Sequence, residues 1–570
     1  MVQYYTNIGR ARILNFADII LVYMKQLLTL LLFLPVLVIG QKLKKADKAM
    51  IESLKANIYY LADDKLEGRR AGTPGEALAV SYITEQFTKA GLQPKGENGG
   101  FIQPFTIDDG KRVKPSSIFQ VNGRDLKPGT DFFPLGNSPD SRLIEAATST
   151  SLAETNAPWF KDLGDALLSN KDNPHFDIQE FIRNTVKNAA EKKASALVLY
   201  NNSDLPDNIK FEAKDKSEKA PIPVMYVTKQ AWNEHLKDQS AAYDFKIRLE
   251  TEPVSRTAHN IVGYVDNGAQ TTIVFGAHFD HLGYGEDGNS MIRTGEKLIH
   301  NGADDNASGT AALIEIAKLM KKSKLKKHNY LFLAFSGEEL GLFGSKYYVE
   351  HPTVSLNSID YMINMDMVGR LNDSTRTITV GGFGTSPTWS KIIINDPKAA
   401  FSIKIDSSGT GPSDHTSFYR KDIPVLFFFT GLHSDYHKPT DDAVKINYTG
   451  EFRIVKYIYG VVEKTSAENK LVFTKTREQQ TGTSTRFSVS MGIMPDYTYS
   501  GSGVRVDGVS DGRPAQKAGL KTGDIVTQLG DYKVSSMETY MQALSKFKKG
   551  DAARVIVKRG TEELKFDIVF

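Results

Sequence analysis

The sequence predicts an α/β protein whose central mixed sheet is covered by helices on both faces and flanked by two smaller regions. Apolar strand-like stretches and helical stretches alternate from Asn260 to about Ala467, which is typical of a helix-covered sheet. Polar loops and scattered short strands occupy residues 116–252. A polar, Thr-rich stretch at Lys475–Ser484 precedes a compact C-terminal region of short strands and two helices. The length of 570 residues allows roughly two to four domains.

The individual elements of the central region follow from its apolar periodicity. Predicted strands are Ile261–Val265, Thr272–Ala277, Tyr330–Phe335, Tyr361–Asn364, Thr377–Val380 and Val425–Thr430. Predicted helices are Ser308–Lys321, Leu340–Glu350, Ser386–Ile394 and Tyr448–Thr465. Residues 48–92 are predicted to be helical on either side of a loop at Leu66–Pro74, where Gly and Pro interrupt the helical pattern.

Composition excludes several classes of protein. Hydrophobic residues make up 40% and charged residues 24%, which excludes a disordered chain and a polytopic membrane protein. Lys and Arg number 71 against 67 Asp and Glu, and the resulting net charge of +4 gives no support for nucleic-acid binding. The chain has no cysteine, so disulfides, thiolate metal sites, iron–sulfur clusters and cysteine nucleophiles are excluded. A metal bound here must be held by His, Asp and Glu.

The N-terminal segment predicts export. Leu27–Gly40 is a 14-residue apolar stretch that follows Lys25, a length that suits a signal-peptide core better than a membrane span. Cleavage is expected after Gly40, with Met24 as the start of translation and a periplasmic or secreted mature protein. The alternative is an uncleaved anchor reaching back to Ile19, which would bring membrane contact but would place Lys25 inside the span at a high energetic cost.

Five segments place acidic or histidine side chains just beyond predicted strand ends or before a predicted helix. They contain His278-Phe279-Asp280, Asp304-Asp305-Asn306, Glu338-Glu339, Asp366, and the stretch from His433 to Asp441. Each motif alone is common without a ligand, since paired glutamates also complement a helix dipole. In open α/β sheets, however, ligands bind at the carboxyl ends of the strands. So many carboxylates in one pocket need cations, and the sequence therefore predicts two divalent ions bridged by one carboxylate.

These motifs, in this order, resemble the co-catalytic di-zinc aminopeptidases of metallopeptidase family 28 over about residues 60–467. The resemblance implies a zinc-exopeptidase fold of the phosphorylase/hydrolase-like type and two Zn²⁺ ions, with Co²⁺ or Mn²⁺ as alternatives. It implies that His278 and Asp366 bind the first ion, that Asp305 bridges both ions, and that Glu339 and His437 bind the second.

The resemblance also implies catalytic roles. Asp280 is expected to orient His278, Glu338 to act as the general base, and Tyr436 to stabilise the oxyanion. Asp305 is expected to join Asn306 through a cis peptide bond. Asp414-His415 matches a recurrent family motif with a structural or substrate-facing role, whereas His281 and His433 are expected to be loop residues or to support the ligands from behind, without a ligand role.

Each of the two flanking regions resembles a known domain, and the resemblance is weaker for residues 116–252 than for the C-terminal region. Residues 116–252 resemble a protease-associated domain on the helix Ile182–Lys193 and the strands Ala196–Tyr200 and Ile222–Val227, but Pro158–His175 lacks the apolar strand expected upstream. The alternative is a surface insertion without a binding role. The C-terminal region resembles a PDZ domain in Ser490–Ile493 and Pro514–Ile525. Its groove is expected to bind a peptide or protein C-terminus or to serve as a structural cap, since Pro495 shortens the pairing strand.

The sequence therefore predicts an exported two-metal exopeptidase, in the first place an aminopeptidase acting on peptides. A carboxypeptidase or dipeptidase would use the same metal site, a glutaminyl-cyclase-like enzyme would have fewer ligands, and a catalytically dead scaffold would have lost them. Oligomeric state and side-chain preference are open. The predicted divisions are 1–40 (extension and signal peptide), 41–115 (first part of the peptidase), 116–252 (insert), 253–470 (catalytic domain), 471–486 (linker) and 487–570 (PDZ domain).

Overall fold

The computed structural model describes residues 43–570 except 172–175, 177, 216, 293–295, 395–400, 477–488, 496–498, 500, 510–511, 545 and 549. The predicted signal segment and residues 477–486 of the predicted linker lie outside the described residues. Within the described part of the chain, no helix has the length and apolar character needed to cross a membrane.

Helices and strands follow one another in the order expected of an α/β protein with inserted and appended β-rich regions. The helices are α1 Lys45–Leu61, α2 Pro74–Lys89, α3 Gly164–Ser169, α4 Ile178–Glu191, α5 Lys229–His235, α6 Gly309–Lys322, α7 Phe343–Glu350, α8 Trp389–Ile392, α9 His415–Tyr419, α10 Tyr448–Thr465, α11 Pro514–Ala518 and α12 Met537–Leu544. The strands are β1 Gln93–Pro94, β2 Ile102–Val113, β3 Ile118–Val121, β4 Arg124–Asp125, β5 Phe132–Pro134, β6 Ile144–Ser149, β7 Pro158–Asp162, β8 Ala196–Tyr200, β9 Val224–Val227, β10 Ala242–Arg248, β11 Thr251–Val265, β12 Thr272–His278, β13 Asn329–Phe335, β14 Ile359–Met365, β15 Thr377–Gly381, β16 Ser402–Ile405, β17 Val425–Phe429, β18 Ile493–Pro495, β19 Val504–Val509, β20 Ile525–Leu529, β21 Tyr532–Lys533, β22 Ala552–Arg559 and β23 Glu562–Val569.

The central sheet is mixed, as the sequence predicted. Its strand order is β1-β11-β13-β12-β14-β17-β15-β16, with β2 paired to β11. Strands β13, β12, β14 and β17 run parallel to one another, whereas β11 pairs with β13 and β15 pairs with β17 in the antiparallel direction. Every residue of β12, β13 and β14 is buried, because helices cover parallel strands on both faces.

Alternation along β13 shows which helices cover which face. Leu331 and Leu333 belong to one buried cluster with Tyr348 of α7 and Phe418 of α9. The intervening Phe332 points to the other face, where its ring lies 6.4 Å from that of Phe87 in α2. Helices therefore cover both faces of the sheet, as predicted.

Two predicted helices are shorter than the sequence suggested. The predicted helix Leu340–Glu350 begins only at Phe343, because Gly341 and Leu342 both have positive φ angles that a right-handed helix excludes. The predicted helix Ser386–Ile394 is reduced to the single turn α8. Its start is delayed because Ser386, which precedes a proline, is extended.

Residues 116–252 form two four-stranded sheets, ordered β4-β3-β10-β6 and β5-β9-β8-β7. The strand expected upstream of β8 is present as β7, parallel to β8, although the sequence of Pro158–His175 shows no apolar run that would indicate it. This strand is at the sheet edge and only partly buried, so it carries Lys161 and Asp162 rather than a continuous apolar run. Strands β2 and β11 form a long antiparallel ribbon that connects this region to the central sheet.

The C-terminal region is a sheet ordered β18-β19-β20-β22-β23 around its own apolar core. Helix α11 ends at Gly519, whose φ of 93° supplies the left-handed cap that glycine favours. Strand β18 is only three residues long and ends at Pro495. This agrees with the sequence prediction of a shortened strand, since proline in a sheet is confined to edges.

The topology brings the predicted site residues to one edge of the central sheet. His278 is the last residue of β12, Glu338 follows the end of β13, and Asp366 directly follows β14. Because these three strands are parallel neighbours, their carboxyl ends meet at the same edge.

Phe119→Ala should destabilise residues 116–252 strongly. The Phe119 side chain is fully buried, and its ring lies 5.6 Å from that of Phe132 and 6.1 Å from that of Phe245. Loss of such a ring costs about 3–5 kcal/mol of unfolding free energy, measurable by urea unfolding followed by tryptophan fluorescence. Leu143→Ala is the control, since Leu143 is 46% exposed and its change should be within about 0.5 kcal/mol. Equal effects of both variants would contradict this packing.

Candidate metal centre

Two groups of potential metal ligands share one carboxylate at this edge of the sheet. Within the described residues, His278, Asp305 and Asp366 form one group, and His281, Asp305 and Glu339 form the other. The ligand atoms in each group lie within 4.8 Å of one another. Imidazole nitrogens and carboxylate oxygens without thiolates are suitable donors for zinc, cobalt or manganese.

The first group is centred on the buried His278. Its Nε2 lies 3.5 Å from Asp305 Oδ1 and 3.4 Å from Asp366 Oδ1. Its Nδ1 lies 3.2 Å from the carbonyl oxygen of Asp280 and 3.6 Å from Asp280 Oδ1. Because a carbonyl oxygen only accepts hydrogen bonds, Nδ1 carries the proton and Nε2 is free to bind a metal. The contact between Asp280 and His278 matches the predicted orienting role in geometry.

His437 completes the second group. Its Nε2 lies 3.3 Å from Asp305 Oδ2 and 3.2 Å from Glu339 Oε2. Its Nδ1 lies 2.9 Å from the carbonyl oxygen of Asn289, so the same tautomer argument leaves Nε2 for a metal. The two oxygens of Asp305 thus face His278 and His437 separately.

His281 contacts the site, although the resemblance implied no ligand role for this residue. Its Nδ1 lies 2.6 Å from Glu339 Oε1 and 4.0 Å from Asp305 Oδ1. The other oxygen of Glu339 faces His437. These contacts place His281 behind Glu339, where it orients the carboxylate. In the sequence, the signal that His281 lies near the site was its position three residues after His278.

Glu338 lies beside the first group and has a strongly perturbed pKa. Its backbone N–H donates a hydrogen bond to Asp280 Oδ1 at 3.2 Å, and its Oε2 is 3.9 Å from His278 Nε2. Burial, reinforced by the charges of Asp366 and Glu339, raises the pKa of Glu338 well above its usual value, although His278 opposes the shift. A carboxyl group with a raised pKa is suited to proton transfer near neutral pH.

The carboxylates around the site raise the pKa values of His278 and His437. Burial alone would lower the pKa of His278, but Asp366 and Glu338 raise it well above its usual value. Glu339 and Asp305 likewise overcome burial and raise the pKa of His437 to about 11. A divalent cation that binds here displaces these protons, so binding must release protons and weaken as pH falls.

The turn that carries Asp305 is held by side chains that bind main-chain groups. The Asp305–Asn306 peptide bond is cis, as the resemblance implied. Asp441 Oδ2 accepts hydrogen bonds from the backbone N–H groups of Asp304 and Asp305 at 2.9 and 3.0 Å. The Asn306 side chain donates to the carbonyl oxygen of Met365 at 3.0 Å, which ties this turn to the segment that carries Asp366.

The remaining predicted residues also lie near the site. The Tyr436 ring stacks on that of His437 with centroids 3.9 Å apart. Burial, with the charges of Asp305 and Glu339, raises the pKa of Tyr436, so its hydroxyl remains a hydrogen-bond donor. Asp414 and His415 are buried, which favours the structural over the substrate-facing role. His433 Nε2 lies 3.2 Å from Asp304 Oδ2, so His433 supports the turn.

Arg69 contacts the site loops, and the sequence analysis did not identify it. Its buried guanidinium donates hydrogen bonds to the backbone oxygens of Phe279, Asn301 and Gly302 at 2.8, 2.6 and 3.0 Å, and to that of Leu61. Burial lowers the pKa of Arg69 to about 10 despite the nearby carboxylates, so the side chain remains charged. In the sequence, Arg69 was visible only as part of a predicted loop.

Comparisons with known proteins find family matches for two parts of the chain. Residues 260–462 match peptidase family M28, and residues 479–569 match the PDZ domain. Aminopeptidase YwaD from Bacillus subtilis (strain 168) is 26% identical over 398 residues, which cover 66% of this chain and 77% of that protein. The probable lipoprotein aminopeptidase LpqL from Mycobacterium tuberculosis is 24% identical over 415 residues, covering 68% and 75%.

A solved structure gives a further likeness. BSAP, a zinc aminopeptidase from Bacillus subtilis, is 20% identical and covers 74% of this chain and 98% of its own, with a TM-score of 0.41.

The fold and the site together define the central part of the chain as a peptidase with a candidate metal centre. More specifically, the chain contains a peptidase domain of family M28 followed by a PDZ domain. The fold class and the family predicted from the sequence are thus confirmed.

Zn²⁺ should raise the thermal unfolding temperature, and a chelator should reverse the effect. A ligand at 100 times its dissociation constant stabilises the folded state by about 2.7 kcal/mol. Asp305→Asn should lose most of this stabilisation, because both candidate groups share Asp305. Asp531→Asn, the same change at an exposed position, should respond like the wild type. The measurement is calorimetry with and without metal, and an unchanged response of Asp305→Asn would contradict a shared ligand.

Proposed function

We propose that this protein is a zinc-dependent aminopeptidase that binds two zinc ions around Asp305. The observation that carries the proposal is the position of the Asp305 carboxylate between two histidines. Its Oδ1 lies 3.5 Å from His278 Nε2, and its Oδ2 lies 3.3 Å from His437 Nε2. A carboxylate that presents one oxygen to each of two nitrogen ligands has the arrangement needed to bridge two ions.

The proposed ligand sets follow from these contacts. His278, Asp305 and Asp366 hold the first ion, and Asp305, Glu339 and His437 hold the second. The donor set suits zinc, and also cobalt or manganese. Peptide cleavage is supported by the match to peptidase family M28, and removal of N-terminal residues by relatives named as aminopeptidases.

The proposed catalytic roles use side chains beside the ligands. When bound, the ions acidify the attacking water and polarise the scissile carbonyl. Glu338 accepts the proton of that water and donates it to the leaving amine. Its backbone hydrogen bond to Asp280 keeps it beside His278. Tyr436 stays protonated and donates a hydrogen bond to the carbonyl oxygen as negative charge develops there.

A groove of about 940 Å³ leads away from the proposed site. Glu339, Leu340 and Phe343 line it on the peptidase side, and Lys214 lines it from residues 116–252. We assign residues 116–252 to a protease-associated-like insert that borders the path of an extended peptide. A peptide in this groove would contact both the site and the insert.

We assign peptide binding to the PDZ domain and export to the N-terminal segment. Strand β18 lies at the edge of its sheet, where a peptide can add as a further strand. Export is supported by the apolar stretch Leu27–Gly40, and LpqL is named as a probable lipoprotein.

The decisive experiment compares two peptides of one sequence, the first N-terminally acetylated and the second C-terminally amidated. An aminopeptidase should cleave the amidated peptide and not the acetylated one, with activity lost on chelation and restored by Zn²⁺. Cleavage lost only on amidation would establish a carboxypeptidase instead. Absence of cleavage of both peptides and of the unmodified parent by the metal-loaded protein would overturn the peptidase proposal.

Glu338→Gln should keep both metal ions and lower kcat by about 10²–10⁴-fold, because the amide cannot accept the proton. Metal content is measured by atomic emission and kcat with the cleaved peptide of the pair. Glu350→Gln, the same change at an exposed position, should leave both quantities unchanged. Full activity of the metal-loaded Glu338→Gln variant would refute the assignment of the general base.

A further inference from the structure

Five charged side chains meet beside the groove that leads from the proposed metal site, and two of them, Lys214 and Asp287, line it. Arg70 Nε lies 2.7 Å from Asp287 Oδ2, and Lys214 Nζ lies 3.1 Å from Asp287 Oδ1. Arg256 Nε lies 3.0 Å from Asp109 Oδ2, and Lys214 Nζ lies 3.2 Å from Asp109 Oδ1. We call these five residues the charge cluster.

The charge cluster joins distant segments of the chain. Arg70 lies in the loop before α2, Asp109 in β2, and Arg256 in β11. Asp287 belongs to the loop that follows β12, and Lys214 belongs to the insert. The cluster therefore connects the insert to a loop of the peptidase domain.

Burial shows which members of the charge cluster need their partners most. The Asp287 side chain is 8% exposed, that of Arg256 10% and that of Lys214 49%. Burial alone would raise the pKa of Asp287, but the hydrogen bonds and charge of Arg70 outweigh it and lower the pKa. A buried carboxylate depends on such partners, whereas a half-exposed lysine contributes less and is screened by salt.

The loop that carries Asp287 also holds His437 and Glu339. Two residues after Asp287, the Asn289 carbonyl oxygen accepts the hydrogen bond from His437 Nδ1 at 2.9 Å. The Asn289 side-chain amide donates to the backbone oxygen of Glu339 at 3.3 Å. The backbone N–H of Met291 donates to the backbone oxygen of His437 at 3.0 Å.

We propose that Asp287 is a positioning residue for the second metal site. Lys214 of the insert contributes to this positioning through its ion pair with Asp287. The charge cluster fixes Asp287, Asp287 fixes Asn289 two residues away, and Asn289 fixes the tautomer and orientation of His437. This inference rests on the proposed function, in which His437 binds the second zinc ion. Partners that orient a metal-binding histidine in this way contribute measurably to metal affinity.

The test measures Zn²⁺ affinity by competition with a chromophoric chelator, which resolves the two sites without any substrate. In Asp287→Asn, one of the two ions should lose about tenfold or more in affinity, while the other ion should be bound as in the wild type. The kcat of the peptidase reaction should fall with little change in KM. Lys214→Ala should give a smaller loss of affinity that disappears at high salt, because Lys214 is half exposed.

Lys210→Ala and Asp204→Asn are the matched controls, since both are exposed positions of the insert outside the charge cluster. If Asp287→Asn and Lys214→Ala bind both ions within twofold of these controls, the inference is overturned. Lys214→Ala decides the question if Asp287→Asn does not fold, because loss of a half-exposed lysine leaves the buried pairs intact. A wild type that binds fewer than two ions would refute the two-ion function and with it this inference. If every variant binds both ions with wild-type affinity, the inference alone is refuted.

Discussion

The concentration of negative charge at one buried edge of the sheet is the constraint on which the rest of the site depends. Burial and the neighbouring carboxylate Asp305 raise the pKa of Asp366 against the effect of His278, and Glu338 is shifted in the same direction. The pKa values of His278 and His437 are also raised, because the surrounding carboxylates outweigh burial, so these imidazoles bind protons more tightly as well. All four groups therefore bind protons more tightly than usual, and divalent ions can replace the protons of the imidazoles.

The ligand-bearing loops are held in place through their backbone. Arg69 binds carbonyl oxygens on both sides of the site, Asp441 binds two amides of the Asp305 turn, and Asn289 binds His437. The contacts of Arg69 and Asp441 go to main-chain atoms of these loops, so they remain when ligand side chains are exchanged. They orient the ligands in advance, and orientation in advance lowers the cost of binding a metal.

The sequence predicted the strands and helices that have a regular apolar pattern, and the site residues that follow the ends of such strands. Strands β12 and β13 and helix α10 agree with their predicted bounds to within one residue, because a continuous apolar run or an amphipathic pattern marks each of them. The residues predicted at the strand ends meet because the carboxyl ends of parallel strands lie at one edge of the sheet. Strands β7 and β16 were missed, because an exposed or partly exposed edge strand lacks such a pattern.

The supporting residues were missed for a different physical reason. Arg69 contacts backbone atoms more than 200 positions away in the chain, and a carbonyl oxygen gives no sign in the sequence of what binds it. Asp287 is likewise one acid among many in a polar loop. His281 was near enough to His278 in the sequence to be noticed, but its contact with Glu339 depends on how two loops meet.

The ribbon formed by β2 and β11 has a topological consequence. Val113 and Thr251 are directly paired across the ribbon, so the chain enters and leaves the insert at neighbouring points. The whole insert thus takes the place of a hairpin turn between two strands that would pair without it. Such a connection preserves the order and direction of every strand in the central sheet. A chain with a short turn between Val113 and Thr251 would therefore keep the same peptidase topology.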